Sequence, residues 1–342
     1  MKVIPIAFDS IGVRSMATFV KTKDVNILID GAAALGPNRY GLKPTIEEFK
    51  ALEICRNLIV DVGKIADVMI VTHYHYDHHP HPQDEKLYSI YRGKIILAKD
   101  VGKNINQSGR MRGKMFESML KNSSKLEYVD GKSFEFGNTL ISFSKAVWHG
   151  DVGSSVGKVI MVYIEEGKDS VLFGSDAQSL ADKEALNFVK EKNPKILIVD
   201  GYPTIFVGWR ISEESFLKAK ENLKEAIESV DSKKIVLDHH IVRDLYYKEK
   251  IGDAIELAES IGKKLLTAAE FLKLDNLFLE AWRKEINEGK RVVEIDNYFN
   301  EVIKKIKRKM MLKLISFSSC HTSLPFFLHL RKIFVAIFKY FN

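Results

Sequence analysis

Only two cysteines, Cys55 and Cys320, occur in 342 residues, too few for a disulfide framework or a cysteine-based zinc site. Proline is scarce as well, with eight in the chain. Neither a Pro/Gly/Ser linker nor a short repeat interrupts residues 1–309, so one domain is expected there, followed by a separate tail at 310–342. No long apolar run opens the chain: "MKVIPIAFDSIGVR" reads as a strand rather than a signal peptide, and a reducing cytoplasm is the expected compartment. Acidic residues are missing after Glu301, where nine Lys or Arg remain; residues 1–301 carry 43 basic and 45 acidic side chains, a net of −2. The formal charge of +7 therefore comes from the residues after Glu301, and the body before them offers no general basic face for long nucleic acid. What is present, 46% apolar and 28% charged residues, is the composition of a globular protein with a substantial core.

The first third is strand-rich, with "KVIPIAFDS", "SMATFVKT" and "VNILID" as short apolar runs between turns. "PTIEEFKALEICRNL" predicts a helix starting at Pro44 and Thr45, with acids in its first turn. "ADVMIVTH" and "GKIILAKD" are nearly continuous apolar strands, the pattern of strands covered on both faces. Turn signals at Asp130-Gly131, Gly137-Asn138 and Gly167-Lys168 predict hairpins. After residue 180 helices and strands alternate, and a helix-rich stretch follows over about 267–309. Strands first and alternation later fit two packed sheets with helices outside; periodicity alone also admits a doubly wound parallel sheet.

The segment "VTHYHYDHHPHP", residues 71–82, places five histidines and an aspartate directly after an apolar strand. His73 and His75 are two apart and project to one side of an extended backbone; Asp77 and His78 follow. Imidazole and carboxylate are ligand types that suit zinc and similar divalent ions. One loop cannot supply two ions, so distant partners are required. His149, Asp176 and the pair His239-His240 each sit where an apolar strand stops, where α/β folds gather ligands.

In these motifs the chain resembles the metallo-β-lactamase superfamily: His73-x-His75-x-Asp77-His78, then His149, Asp176 and a late histidine stand in that order. The resemblance runs over roughly residues 1–245, and "GVRSMATFV", "HYHYDHH" and "LDHHIVRD" are most similar to a largely archaeal branch. It implies a four-layer αβ/βα sandwich holding two divalent metal ions, with zinc as the expected metal. His73, His75 and His149 would bind the first ion; Asp77, His78 and His239 would bind the second, with His240 as the alternative to His239. Asp176 would bridge the two, and Asp30 would hydrogen-bond a ligand histidine to fix its tautomer. The implied activity is hydrolysis of an ester-type bond by hydroxide held between ions about 3.5–4 Å apart, with Asp77 taking the proton. Iron-dependent oxidoreductases of the superfamily carry an acid where His75 stands, so His75 favours hydrolysis.

Competing readings are plainer. His79 and His81 shape the exit loop, Trp148 packs in the core, and Asp30 is equally a turn residue before Gly31. Tyr74 and Tyr76 interleave the ligands, and either hydroxyl is a candidate proton donor. "NINQSGRMRGKMF", residues 104–116, reads as a loop whose Arg110 and Arg112 either clamp an anion over the site or face solvent. With Arg243 they tilt the substrate toward a small phosphorylated or otherwise anionic molecule. "DGYPTIFVGWR", residues 200–210, is a second rim loop. In the tail, Phe326, Leu330, Ile333, Phe334, Ile337, Phe338 and Phe341 form one helical stripe among basic residues. Packing on the domain, membrane contact and partner binding all fit it. An iron oxidoreductase, and a membrane-associated protein without activity, are the alternatives to a hydrolase.

Overall fold

The structure, a computed structural model, describes residues 1–311. Its first sheet is built from β1 (Lys2–Phe8), β2 (Met16–Lys21), β3 (Asn26–Ile29), β4 (Val68–Val71), β5 (Ile95–Ala98) and β6 (Lys125–Tyr128), side by side in chain order. Pairing is antiparallel through β3 and parallel from β3 to β6. The chain then crosses to the second sheet with β7 (Ser133–Phe136) and β8 (Thr139–Phe143), and a two-stranded ribbon of β9 (Val147–Trp148) and β10 (Lys158–Val159) follows. β11 (Val162–Glu166), β12 (Asp169–Phe173), β13 (Ile196–Asp200), β14 (Lys234–Asp238) and β15 (Lys264–Leu266) complete that sheet in the order β15-β14-β13-β12-β11-β8-β7. β12 to β15 are parallel, and β12, β11, β8 and β7 are antiparallel.

Side-chain alternation explains the layers. On β12 to β14, Leu172, Leu197, Val199, Ile235 and Leu237 pack with Ala185, Leu186, Ala219, Leu223 and Ala226 from the helices Lys183–Lys192 and Glu213–Ser229. The intervening residues Val171, Phe173, Ile198 and Val236 are buried too, which requires cover on the opposite face. That cover is the first sheet, tied across by Thr139 Oγ1 donating to Thr22 Oγ1 at 2.9 Å and by Ile160 N donating to the Thr72 carbonyl at 3.1 Å. The helix Ile46–Ile65 lies on the outer face of the first sheet and buries Ala51, Cys55, Leu58, Ile59 and Val62. The arrangement is the expected four-layer αβ/βα sandwich.

That helix begins at the expected place. Thr45 caps the Glu48 amide and Glu48 reaches back to the Thr45 amide, a capping box. Glu48 has a second duty, pairing with the fully buried Arg283 through Nε at 2.9 Å and Nη2 at 2.7 Å. Arg283 also donates to the carbonyls of Gly36, Pro37 and Leu42, so one side chain pins the 36–42 segment to the helices Ile46–Ile65 and Leu279–Asn287. Replacing it by Met, which keeps bulk but strands a buried carboxylate, is expected to cost about 3–5 kcal/mol, read as a lowered urea midpoint with unchanged slope.

Two expectations are corrected. Of the loop expected over residues 104–116, residues 107–116 are helical: Asn106 caps a helix, Gln107–Leu120. Gly113 lets this helix approach closely, since a Cβ there would meet Val101 Cγ1 at 2.4 Å and Tyr74 Cε2 at 2.7 Å. Asp130-Gly131 is not a hairpin turn either; it joins β6 of the first sheet to β7 of the second. The turns at 137–138 and 167–168 do close hairpins, β7–β8 and β11–β12.

By compactness the chain divides into Met1–Ile306 and Lys307–Asn342. The aromatic stripe from Phe326 to Phe341 lies outside the described residues. Among those described, no helix is long and apolar enough to cross a membrane.

Candidate metal centre

Each site residue follows the carboxyl end of a strand. Asp9 comes after β1, Asp30 after β3, His73 to His78 after β4, His149 after β9 and Asp176 after β12; Asp200 and Asp238 close β13 and β14, and His239 comes next. Apolar strands thus stop at one edge of the sandwich and hand their first polar residues to a common point.

One set of donors is His73, His75, His149 and Asp176, whose ligand atoms all lie within 4.8 Å of one another. His73 Nε2 is 3.0 Å from His75 Nδ1 and 3.4 Å from Asp176 Oδ2, and His149 Nε2 is 3.0 Å from the same oxygen. Four donors about 2.0–2.1 Å from the centre of a tetrahedron stand about 3.4 Å apart, so these spacings match one small cation. A second set is Asp77, His78 and His239. There Asp77 is 4.0 Å from His78 Nε2 and 3.6 Å from His239 Nε2, and Asp176 Oδ1 is 3.1 Å from His78 Nε2. Asp176 therefore faces both sets.

Hydrogen bonding marks the same atoms. His78 Nε2, His149 Nε2 and both carboxylate oxygens of Asp176 are buried with no hydrogen-bond partner. A buried polar atom left unpaired costs about 1–3 kcal/mol, and these four, 3.0–3.1 Å apart in pairs but without an aligned hydrogen bond, are placed to share a ligand between them. Nitrogen and oxygen donors in this spacing fit divalent metal ions.

Electrostatics divide the cluster. Burial, then the neighbouring His78, pushes His73 down to about 3, and burial with His149 pushes His75 to about 4; both are neutral and ready to donate. On the other side, against the cost of burial, Asp176 and Asp77 raise His78 well above the ordinary histidine value. Asp9 and Asp176 likewise raise His239 to about 10 against burial. Burial would raise Asp176, but His78, His73 and His239 hold it well below the carboxylate range.

The backbone around the centre is strained. Asp30, Ser175, Gln178, Ser179, Leu180 and His239 all have positive φ, between 44° and 64°. For residues with a Cβ this left-handed conformation costs roughly 1–2 kcal/mol each, and such strain concentrates where a site over-determines geometry.

Asp30 Oδ2 accepts from His78 Nδ1 at 2.8 Å and from the Thr72 hydroxyl at 2.6 Å. His239 turns Nε2 toward Asp77 and Asp176, and its Nδ1 donates to Asp9 at 2.6 Å; the ring of His240 is instead held by Asp200. Arg243 is no substrate clamp, because it is buried and its Nε donates to Asp9 Oδ1 at 2.6 Å. Arg112 stacks 4.6 Å over Tyr76 and reaches the Tyr74 carbonyl at 3.5 Å, bracing the ligand loop, while Arg110 is exposed. The Tyr74 hydroxyl is buried and donates to the Lys99 carbonyl at 2.6 Å, so it is unavailable as a proton donor. His79 is buried with Nδ1 at 2.9 Å from the His75 carbonyl, and His81 is exposed. Trp148 is half-buried under Lys158, and Tyr202, in the 200–210 segment, donates to Asp151.

Sequence reasoning missed Asp9, Asp200 and Gln178, the last with its amide 3.4 Å from His149 Nδ1. The first two carried a usable signal: "AFD" and "IVD" end apolar strands just as "LID" does at Asp30.

No protein-family model matches the chain. Among curated proteins it is similar to a UPF0282 protein of Korarchaeum cryptofilum, 42% identical over 288 residues that cover 84% of this chain and 95% of that one. A UPF0282 protein of Pyrococcus furiosus is 42% identical over 309 residues, 86% of this chain and 95% of that one. Among solved structures, an isothiocyanate hydrolase from Delia radicum gut bacteria aligns with 78% of this chain and 95% of its own, at 15% identity and a TM-score of 0.47. Igni18, a metallo hydrolase from Ignicoccus hospitalis, aligns with 78% and 94% at 14% identity and a TM-score of 0.40. CmlA, a diiron β-hydroxylase from Streptomyces venezuelae, aligns with 78% and 52% at 13% identity and a TM-score of 0.44.

Proposed function

The chain belongs to the UPF0282 family, and from that premise and the donor cluster we propose that it is a binuclear metal-dependent hydrolase of the metallo-β-lactamase type. The observation that carries this reading is the set of buried, partnerless donor atoms on His78, His149 and Asp176. His73, His75, His149 and Asp176 would hold one ion, and Asp77, His78, His239 and Asp176 the other, with zinc the expected metal. When bound, such ions supply Lewis acidity and bring the pKa of water from 15.7 to about 7.

The protein's own groups do the rest. Asp77 is the carboxylate that solvent reaches, its side chain 16% exposed against 1% for Asp176, which suits it to take the proton as water attacks an ester-type bond. Asp30 and Asp9 fix the orientation of His78 and His239 by holding Nδ1. A small phosphorylated or otherwise anionic molecule is the substrate class proposed, with Arg110, exposed on the helix Gln107–Leu120, as the candidate to meet it. The −2 charge of residues 1–301 disfavours long nucleic acid.

The test is a panel of bis-aryl phosphate, aryl ester, lactone, thioester and β-lactam substrates, run with wild type and His75→Ala. Turnover of at least one class, lost about 100-fold or more in the variant, is the expected result; equal rates would place the activity elsewhere. Two redox-active irons in protein grown in metal-balanced medium would instead favour the oxidoreductase.

A further inference from the structure

Resting on the metal-centre reading above, we infer that His240 is an additional donor of this centre, acting with Asp176 and His239 on the second ion. Three imidazoles here share one wiring. His78 Nδ1 meets Asp30 at 2.8 Å, His239 Nδ1 meets Asp9 at 2.6 Å, and His240 Nδ1 meets Asp200 at 2.8 Å. In each, a buried carboxylate at the end of an apolar strand holds one ring nitrogen. The other nitrogen is left for the centre, as in metal-ligating histidines generally.

Position agrees with wiring. The donor atoms of Asp176, His239 and His240 lie within 4.8 Å of one another. The His240 ring centre is 4.3 Å from that of His239 and 5.7 Å from that of His149, so it stands beside members of both proposed sets. Asp200 is itself fixed, because its other oxygen accepts from the His240 amide at 3.1 Å. A histidine that only filled space after His239 would need neither the buried carboxylate nor this doubly anchored loop. His240 thus joins the group of Asp176 and His239, beside the group of Asp77, His78 and His239, with His239 common to both.

Full-length, metal-stripped protein titrated with Co(II) tests this without any substrate. The readouts are the visible d–d absorption and the bound metal per chain. Wild type should take up two equivalents. His240→Ala and His240→Gln should each weaken the second about tenfold or more and shift its band, Asp200→Asn should weaken it about 10–100-fold, and His81→Ala, on the exposed loop, should match wild type. Near-UV circular dichroism checks that the variants are folded, and the glutamine and asparagine variants serve if alanine is not tolerated. Wild-type affinity and spectrum in both His240 variants would overturn the inference and leave the seven-residue centre standing. Failure of wild type to bind cobalt would bring down the centre, and His240 with it.

Discussion

Asp176→Ala is expected to empty both halves of the centre at once. Among the described residues, Asp176 is the side chain whose two oxygens face both donor sets, 3.0 Å from His149 Nε2 on one side and 3.1 Å from His78 Nε2 on the other. Replacing a group that merely orients a ligand costs 10–100-fold in metal affinity, so loss of a shared direct donor should exceed about 100-fold for each ion. Its charge is also what balances the imidazoles. Without it His78 and His239 lose one of the carboxylates that raise them, and two buried rings are left with less to offset a positive charge. Bound zinc per chain, measured by elemental analysis after gel filtration, should fall from two to well below one, and hydrolysis should fall with it. Asp176→Asn, which keeps an oxygen but no charge, should lie between. Two tightly held ions in the alanine variant would mean that Asp176 does not bridge.

Asp9→Ala should destabilise the fold as strongly as Arg283→Met. One oxygen of this buried carboxylate receives Arg243 Nε and the other receives His239 Nδ1, both at 2.6 Å. Alanine leaves a guanidinium in the interior with its carboxylate gone, a defect of about 3–5 kcal/mol. Asp9→Asn preserves shape and isolates the charge. Burial alone would raise Asp9, yet Arg243 and His239 hold it at about 2, below its ordinary 3.8. A carboxyl whose folded pKa is depressed stabilises the fold above its unfolded value, and that contribution vanishes as acid protonates the folded form. Wild type should therefore lead the asparagine variant by roughly 2–3 kcal/mol at neutral pH. The lead should shrink between pH 4 and 2 in urea unfolding, and a difference constant over that range would count against the ion pair.

These two residues also show what a sequence discloses. Asp176 is legible because it follows an apolar strand and falls in an ordered series with His73, His75, Asp77, His78 and His149. Asp9 obeys the same strand-end rule, but its partner His239 lies 230 positions away, and no local pattern encodes that pairing. Both sheets were readable from their apolar runs. The helix Gln107–Leu120 was not, because Gly109 and Gly113 mimic a loop and only Gly113, Phe116 and Leu120 are buried. Asp130-Gly131 misled for another reason: the same turn residues serve a hairpin and a crossing between sheets. Arg283 sits in "LEAWRKEIN" like a solvated charge, and only tertiary contact with Glu48 makes it an interior residue.

The crossing at residues 129–132 has one more consequence. Everything before it supplies His73 and His75 to one donor set and Asp77 and His78 to the other; everything after it supplies His149, Asp176 and His239. A gene broken at this junction would encode two polypeptides, each with only part of either donor set. On the proposed function, turnover would then return only by complementation, and its restoration would report directly on whether the separated halves had found each other.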